Sequence, residues 1–266
     1  FTRAGLGVAM SDQAARAIIQ KAMNDPTAYR DMADRENAVW SKILPSLEVS
    51  DEREKDAAAS RKLKIHEQMS SFVRETKARK LHFKRGLTLG CGAGRLERSI
   101  MDHGLCDSFH GIDIADAAVE DARRQAAAKK YAITYSTGDL NSVELPPGEY
   151  DLVVTQTSLH HVVQLEHVAD QIAKTLTPEG YLWIHDYVGE TQAQYDETRL
   201  ELVNGILALL PEKLRHNRVS RRLIAEIKRP LPGRLGSPFE MIRSGEIVGV
   251  FLDRFDLEWR KEWSTI

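Results

Sequence analysis

Residues 85–100, RGLTLGCGAGRLERSI, set three glycines at alternate positions, Gly90, Gly92 and Gly94, between a short apolar run and a helix-like segment. Glycine serves where a backbone turns through conformations closed to other residues, or where another group comes close. A parallel α/β sheet binds ligands at the carboxyl ends of its strands, and a glycine turn after the first strand falls there. A phosphate-binding loop would follow GxxxxGK[ST], but no Lys-Ser/Thr pair is present. A dinucleotide fingerprint would need GxGxxG, and counted from Gly90 the sixth position is Arg95. Asp113, about 20 residues further on, keeps that reading open. The third pattern is GxGxG with acids at the ends of the second and third strands, here Asp113 and Asp139.

Outward from this turn, short apolar runs alternate with helical patterns. GLTLG is followed by a helix from Arg95, then FHGIDI, a helix over 116–130, AITYSTGD, YDLVVTQT, a helix over 161–176 and GYLWIHDYV. That alternation predicts right-handed crossovers and a mostly parallel, doubly wound, Rossmann-like α/β sheet with helices on both faces. Residues 1–80 read as helix almost throughout: SDQAARAIIQKAMN opens on a Ser-Asp cap, and PTAYRDMADRENAVWSKIL stops before Pro45. Ile65, Met69, Phe72 and Val73 form an i, i+4, i+7, i+8 stripe that should face a core. After Gly189 the alternation breaks. AQYDETRLELVNGILALLPEKLR reads as one amphipathic helix closed by Pro211, a loop spans 229–238, a helix runs through EIVGVFLDRF, and FDLEWRKEW reads as a last strand. The expected organisation is an N-terminal helical cap (1–80), an α/β core (81–189), a helical insertion (190–244) and a last helix and strand (245–266).

With 42% apolar and 29% charged residues, the 266-residue chain has the composition of a globular protein. A net charge of −2 points to no polyanionic partner. No apolar stretch approaches the ~18 residues of a membrane span, and FTRAGLGVAM lacks the layout of a secretory signal. Two cysteines, Cys91 and Cys106, make neither a disulfide framework nor a metal quartet, so a reduced, cytoplasmic setting is expected. The basic run RETKARKLHFKR (74–85) lacks aromatic platforms and reads as a solvated face, not as a nucleic-acid footprint.

Taken in order and spacing, LTLGCGAG, GIDI, STGDL, YDLVVTQTSLHHV and LTPEGYLWIHDYVG resemble the successive motifs of class I S-adenosylmethionine-dependent methyltransferases, over about residues 84–189. The resemblance implies S-adenosylmethionine as cofactor and S-adenosylhomocysteine as product. It places the Gly90–Gly94 turn, with Cys91 as a small filler, beside the methionyl arm, whose carboxylate is favoured by the amides opening the next helix. Thr88 stands where that family usually carries an acid, and its hydroxyl offers a bond near the methionine end. Asp113 would accept both ribose hydroxyls, Ile114 would pack on the adenine, Asp139 would accept the adenine amino group, and Leu140 would offer an amide to a ring nitrogen. Gln156 would contact the methionyl arm.

For the transfer itself, the exits of the fourth and fifth strands offer His160 and His161, then His185 and Asp186, as candidate catalytic groups. For His161, a packed histidine bonding backbone is the alternative. Tyr187 is a candidate for the acceptor pocket, and His167 is expected to face solvent. No HExxH-like spacing occurs, so no metal is expected. The segment VGETQAQY resembles VGPSRFQW of a bacterial branch of the class but lacks its proline, arginine and phenylalanine. The expected activity is methyl transfer to an O, N or C nucleophile of a small molecule, of natural-product or glycan type, in secondary metabolism. The alternative is a catalytically silent cofactor-binding module of a multidomain synthase; an RNA methyltransferase and an NAD-dependent oxidoreductase rank behind both. The usual class I sheet ends on a strand pair, whereas this chain stops at its sixth strand and starts without methionine. Both features lead us to expect a piece of a longer polypeptide with neighbouring domains.

Overall fold

In the computed structural model, which describes residues 11–46, 71–217, 221–233 and 235–258, the alternating runs become five strands: β1 (Phe83–Leu89), β2 (Cys106–Asp113), β3 (Ile133–Thr137), β4 (Tyr150–Gln156) and β5 (Leu176–His185). All pair in parallel, in the order β3-β2-β1-β4-β5. The order reverses between β1 and β4, so the crevice at their carboxyl ends is where such a sheet binds ligands. Helices α3 (71–78), α4 (Arg95–Asp102), α5 (Asp116–Lys129), α6 (Leu165–Thr175) and, after the insertion, one further helix (Ile247–Leu252) cover the two faces. The period-2 rule of strands decides which side chain meets which face. In β4, Leu152 and Val154 turn to Phe72, Ile100 and Phe109, while Val153 turns to Leu159, Leu165, Ile172 and Ile247. Each such buried aliphatic chain contributes about 2 kcal/mol.

Some expected boundaries shift, each for a local reason. β5 begins at Leu176 instead of after LTPEG: Tyr150 pairs with Leu176 and Leu152 with Tyr181, so the stretch around Pro178 bulges out of the ladder. Proline has no amide to give to such a ladder. The predicted helix over 161–176 starts only at Leu165, behind a single 3-10 turn at Leu159–His161.

The caps are built from helices α1 (Ser11–Asn24) and α2 (Pro26–Ser46) and from the insertion, which holds α7 (Glu197–Leu209). Helix α2 runs one residue past Pro45, because in a terminal turn a proline forfeits only one amide bond. The helix expected to be closed by Pro211 runs from Glu197 and ends at Leu209, where Leu210 turns extended (φ −75°, ψ 140°). Ala22 and Met32 of the N-terminal helices pack with Val163 of the core and with Phe239 and Ile242 of the insertion, so the two caps meet. Of the Ile65–Val73 stripe, Phe72 and Val73 pack on the sheet, and Ile65 and Met69 lie outside the described residues. Residues 255–258 form no strand, and the rest of FDLEWRKEW lies outside the described residues. In the basic run, Arg79 pairs with Glu258 and Arg85 with Glu149. No helix among the described residues is long and apolar enough to cross a membrane.

One core residue breaks the apolar rule. Glu97, in the first turn of α4, is completely buried and faces the Thr88 hydroxyl without closing a hydrogen bond. Burial pushes its carboxyl up to about 7, against the pull of its own amide, Thr88 and Arg98. The folded state therefore holds the proton more tightly than the unfolded chain. No penalty arises at low pH, where both states are protonated; a destabilising term grows as pH rises from the ordinary carboxylate range to about 7 and stays constant above it. Glu97→Gln, which stays neutral, should raise the melting temperature by roughly 5 °C or more near pH 8 and by little near pH 5. Thermal unfolding of both proteins at the two pH values checks this, and a variant no more stable than the wild type near pH 8 would contradict it.

Candidate active site

At the carboxyl ends of β1, β2, β3 and β4 lies a cavity of about 470 Å³, roofed by α2 and the insertion. Its floor is the glycine turn. Gly90, Gly92 and Gly94 all take positive φ (77°, 52° and 74°), the left-handed region that favours glycine. At Gly90 a Cβ would stand 2.2 Å from Ser158 Cβ, so the turn also needs a residue without a side chain. Asp113 fastens it: Gly92 N donates to Oδ2 at 2.7 Å and Ala115 N to Oδ1 at 2.9 Å. Both oxygens expected to grip a diol thus already accept an amide. A carboxylate has about four lone-pair positions, which leaves one on each oxygen for a ligand. Burial raises the Asp113 pKa, against the Ala115 and Gly92 amides.

The other strand-end acid is held from the cap. The Tyr29 hydroxyl donates to Asp139 Oδ2, while Asn141 N and Nδ2 donate to Oδ1 at 2.9 and 3.0 Å. Tyr29 stacks on Phe239 of the insertion, with ring centroids 5.6 Å apart. Burial and then the Asp139 contact push the phenol pKa well up, so Tyr29 stays a donor.

The LHH turn gives the third wall. Asp186, whose side chain is fully buried, accepts from Ser158 N (2.9 Å) and Leu159 N (2.7 Å) through Oδ2. Its Oδ1 accepts from Tyr187 N (2.8 Å) and contacts His160 Nδ1 at 2.5 Å. These amides pin residues 158–161 in a 3-10 turn ahead of α6, and the two adjacent imidazoles stand side by side, 4.1 Å between centroids. His161 Nδ1 lies 2.9 Å from Glu36 Oε1. Glu36 in turn accepts from Trp40 Nε1 (2.6 Å), Ser237 Oγ (3.0 Å) and Phe239 N (3.0 Å). Burial works against ionised Glu36, yet the His161 contact and these donors leave its pKa below the usual range. For His160, burial lowers the pKa, but the Asp186 bond and charge, with Glu240 and Glu36, outweigh it and raise it.

Of the residues expected from the sequence, Gly90, Cys91, Gly92, Asp113, Ile114, Asp139, Leu140, Gln156, His160 and His161 line the cavity. Thr88, Gly94, His185, Asp186 and Tyr187 do not. Thr88 lies beneath the turn, only 1% exposed; Gly94 starts α4 under the Tyr135 hydroxyl; and the Tyr187 hydroxyl points at Glu190, 3.4 Å away. Asp186 lies behind the lining in contact with His160, and burial lowers the pKa of half-buried His185 outside the lining. Burial pushes the Cys91 thiol far up, which leaves it a filler, not a nucleophile. His167, expected in solvent, is bonded through Nε2 to Val143 O at 2.8 Å. Unforeseen were Glu36 and Trp40 on α2, with Phe239 and Glu240 of the insertion, all in the lining, and Tyr29 behind them. The signal was present as spacing. Tyr29, Ala33, Glu36 and Trp40 fall on one helix face, and a glutamate inside such a stripe marks a buried polar partner.

Tyr29→Phe removes one donor from a charged acceptor and leaves the ring stack. S-adenosylhomocysteine should bind about tenfold more weakly to that variant. Calorimetric titration measures this, and unchanged affinity would detach Tyr29 from the site.

The family model described as a methyltransferase domain matches residues 87–184, from β1 to the end of β5. An uncharacterized methyltransferase of Schizosaccharomyces pombe is 30% identical over 110 residues, 38% of each chain. A ubiquinone biosynthesis O-methyltransferase of Burkholderia vietnamiensis is 31% identical over 101 residues, 38% of this chain and 43% of that protein. A solved S-adenosylmethionine-dependent methyltransferase of Mesorhizobium loti is 28% identical, with a TM-score of 0.35, covering 39% of this chain and 46% of that one. The chain thus spans less than half the length of these curated relatives. The cavity itself tests the implied cofactor, which carries a sulfonium, an ammonium and a diol but no phosphate. Glu36, Asp113, Asp139 and Glu240 stand in the lining against one guanidinium, Arg95, and no lysine. A cationic, phosphate-free ligand fits that balance, and the side-chain-free Gly90 turn admits its close approach. Over residues 87–184 the chain thus matches the methyltransferase domain model, and the lining of the cavity fits S-adenosylmethionine as cofactor.

Proposed function

We propose that the protein transfers a methyl group from S-adenosylmethionine to an oxygen of a small molecule. The observation that carries the choice of oxygen is the pair of carboxylate-backed histidines, His160 on Asp186 and His161 on Glu36, in the wall of the cofactor cavity. An ionised carboxylate accepts only, so each Nδ1 carries a proton, and in the neutral ring Nε2 keeps a lone pair for the acceptor. A hydroxyl acceptor has a proton to give to such a lone pair as it becomes a nucleophile; an amine arriving neutral needs no such partner. A bound S-adenosylmethionine supplies an electrophilic methyl on a positively charged sulfur.

In this reading the chain's own groups divide the work. Asp113 and Asp139 hold the nucleoside end, and the turn from Gly90 to Gly92 lies along the methionyl arm. His160 and His161 hold the acceptor hydroxyl through Nε2. Asp186 and Glu36 act as positioning residues that keep both rings in one tautomer. Trp40, edge-on to His161 at 5.2 Å between centroids, and Phe239 close the roof and exclude water. Fixing the reacting groups in line supplies much of the acceleration in such a displacement. The similarity to a ubiquinone biosynthesis O-methyltransferase supports oxygen as the acceptor atom, and the apolar roof supports an aromatic or isoprenoid-like acceptor of natural-product type.

Methyl-labelled S-adenosylmethionine, offered with a panel of phenols, catechols, alcohols and amines, tests the reading. Label should appear on oxygen, and transfer to amines alone would overturn the choice of atom. Asp113→Ala should weaken S-adenosylhomocysteine binding at least roughly 100-fold, because it removes a charged acceptor and frees the glycine turn. Unchanged calorimetric affinity would remove Asp113 from the cofactor site.

A further inference from the structure

The same wall holds a donor set that hydrogen bonding does not use. His160 Nε2 lies 3.6 Å from Glu240 Oε1, and His161 Nε2 lies 3.8 Å from Glu240 Oε2. Both separations exceed a hydrogen bond. The ligand atoms of all three residues nonetheless lie within 4.8 Å of one another, and all three residues line the cavity. Ligands about 2.1 Å from a shared cation stand roughly 3.0–3.5 Å apart, so the widest pair of donors, at up to 4.8 Å, closes by about an ångström to complete the geometry.

The surroundings fit the same purpose. Metal-binding histidines characteristically donate their second ring nitrogen to a carboxylate, which fixes the tautomer and raises the basicity of the ligating nitrogen. Here both do so, His160 to Asp186 and His161 to Glu36. The two carboxylates are themselves saturated, Asp186 by three backbone amides and Glu36 by Trp40, Ser237 and the Phe239 amide. Each imidazole thus has one nitrogen committed to the scaffold and one presented to the cavity beside a third, anionic donor.

We propose that His160 Nε2, His161 Nε2 and the Glu240 carboxylate bind one first-row divalent metal ion, with Zn²⁺ the best match to two imidazoles and a carboxylate. Three protein ligands leave a coordination position toward the cavity. The acceptor oxygen takes that position in place of a bound water, held by coordination instead of the hydrogen bonds described above, and its proton passes to solvent water, because a hydroxyl on such a cation is far more acidic than a free one. The role toward an acceptor rests on the proposed function, whereas the site itself rests on the donor geometry alone. The sequence spacing gave no sign of it, because two ligands are adjacent residues and the third lies about 80 positions away, in the insertion.

Chelator-stripped protein titrated with Co²⁺ tests the site without reference to activity. Wild type should take up one Co²⁺ per chain with a visible d–d absorption that Zn²⁺ displaces. Glu240→Gln should lose at least about 100-fold in metal affinity. Calorimetry with S-adenosylhomocysteine in metal-free buffer shows that the variant is folded and tests the functional reading separately. Absence of saturable Co²⁺ or Zn²⁺ binding overturns the metal site, as does unchanged affinity in a Glu240→Gln protein that still binds S-adenosylhomocysteine. Wild type that binds the metal but not S-adenosylhomocysteine upholds the metal site and overturns the functional reading.

Discussion

A single buried carboxylate, Glu36, ties together three distant pieces of this chain. It lies on α2, 2% exposed, and receives Trp40 of its own helix, Ser237 and the Phe239 amide of the insertion, and His161 of the core turn. Burying a charge is expensive unless it is fully hydrogen-bonded, so this residue has few alternative settings. Its donors come from parts of the chain that meet only in the folded state. The roof over the cavity, the tautomer of His161 and the junction between the caps are therefore one structural event. Asp186 plays the corresponding part beneath His160, where its amide contacts shape the turn itself.

Charge explains what the cavity is suited to hold. A site for phosphates gathers lysines and helix amides, whereas this one gathers carboxylates around a turn built for close backbone approach. Asp113 shows how scaffold and site share one group: the carboxylate that closes the glycine turn is also the one offered to a ligand. Tyr29 extends the pattern at Asp139, tying the N-terminal cap to the carboxyl end of β3 through one hydroxyl.

Much of the core was legible before any coordinates. Period-2 runs and the glycine turn located β1 to β5, and Asp113 and Asp139 fell at strand ends because the sheet's parallel order put them there. What escaped detection was tertiary. The geometry of LHH depends on Asp186, about 25 residues away, whose carboxylate accepts the amides of Ser158 and Leu159 that open the 3-10 turn. Strand alternation alone would have offered His185 as readily as Asp186; it is the Asp186 carboxylate that meets His160 Nδ1. Tyr29, Glu36, Trp40 and Glu240 sit on caps whose helical character was plain but whose docking faces were not, since those faces are defined by what they meet.

The most direct test of the central claim, that this cavity is a seat for S-adenosylmethionine, is an equilibrium titration of the protein with S-adenosylhomocysteine and, in parallel, with NADH. Saturable binding of one S-adenosylhomocysteine per chain, with no heat from NADH, is the expected result. Saturation by NADH with none by S-adenosylhomocysteine would contradict the claim.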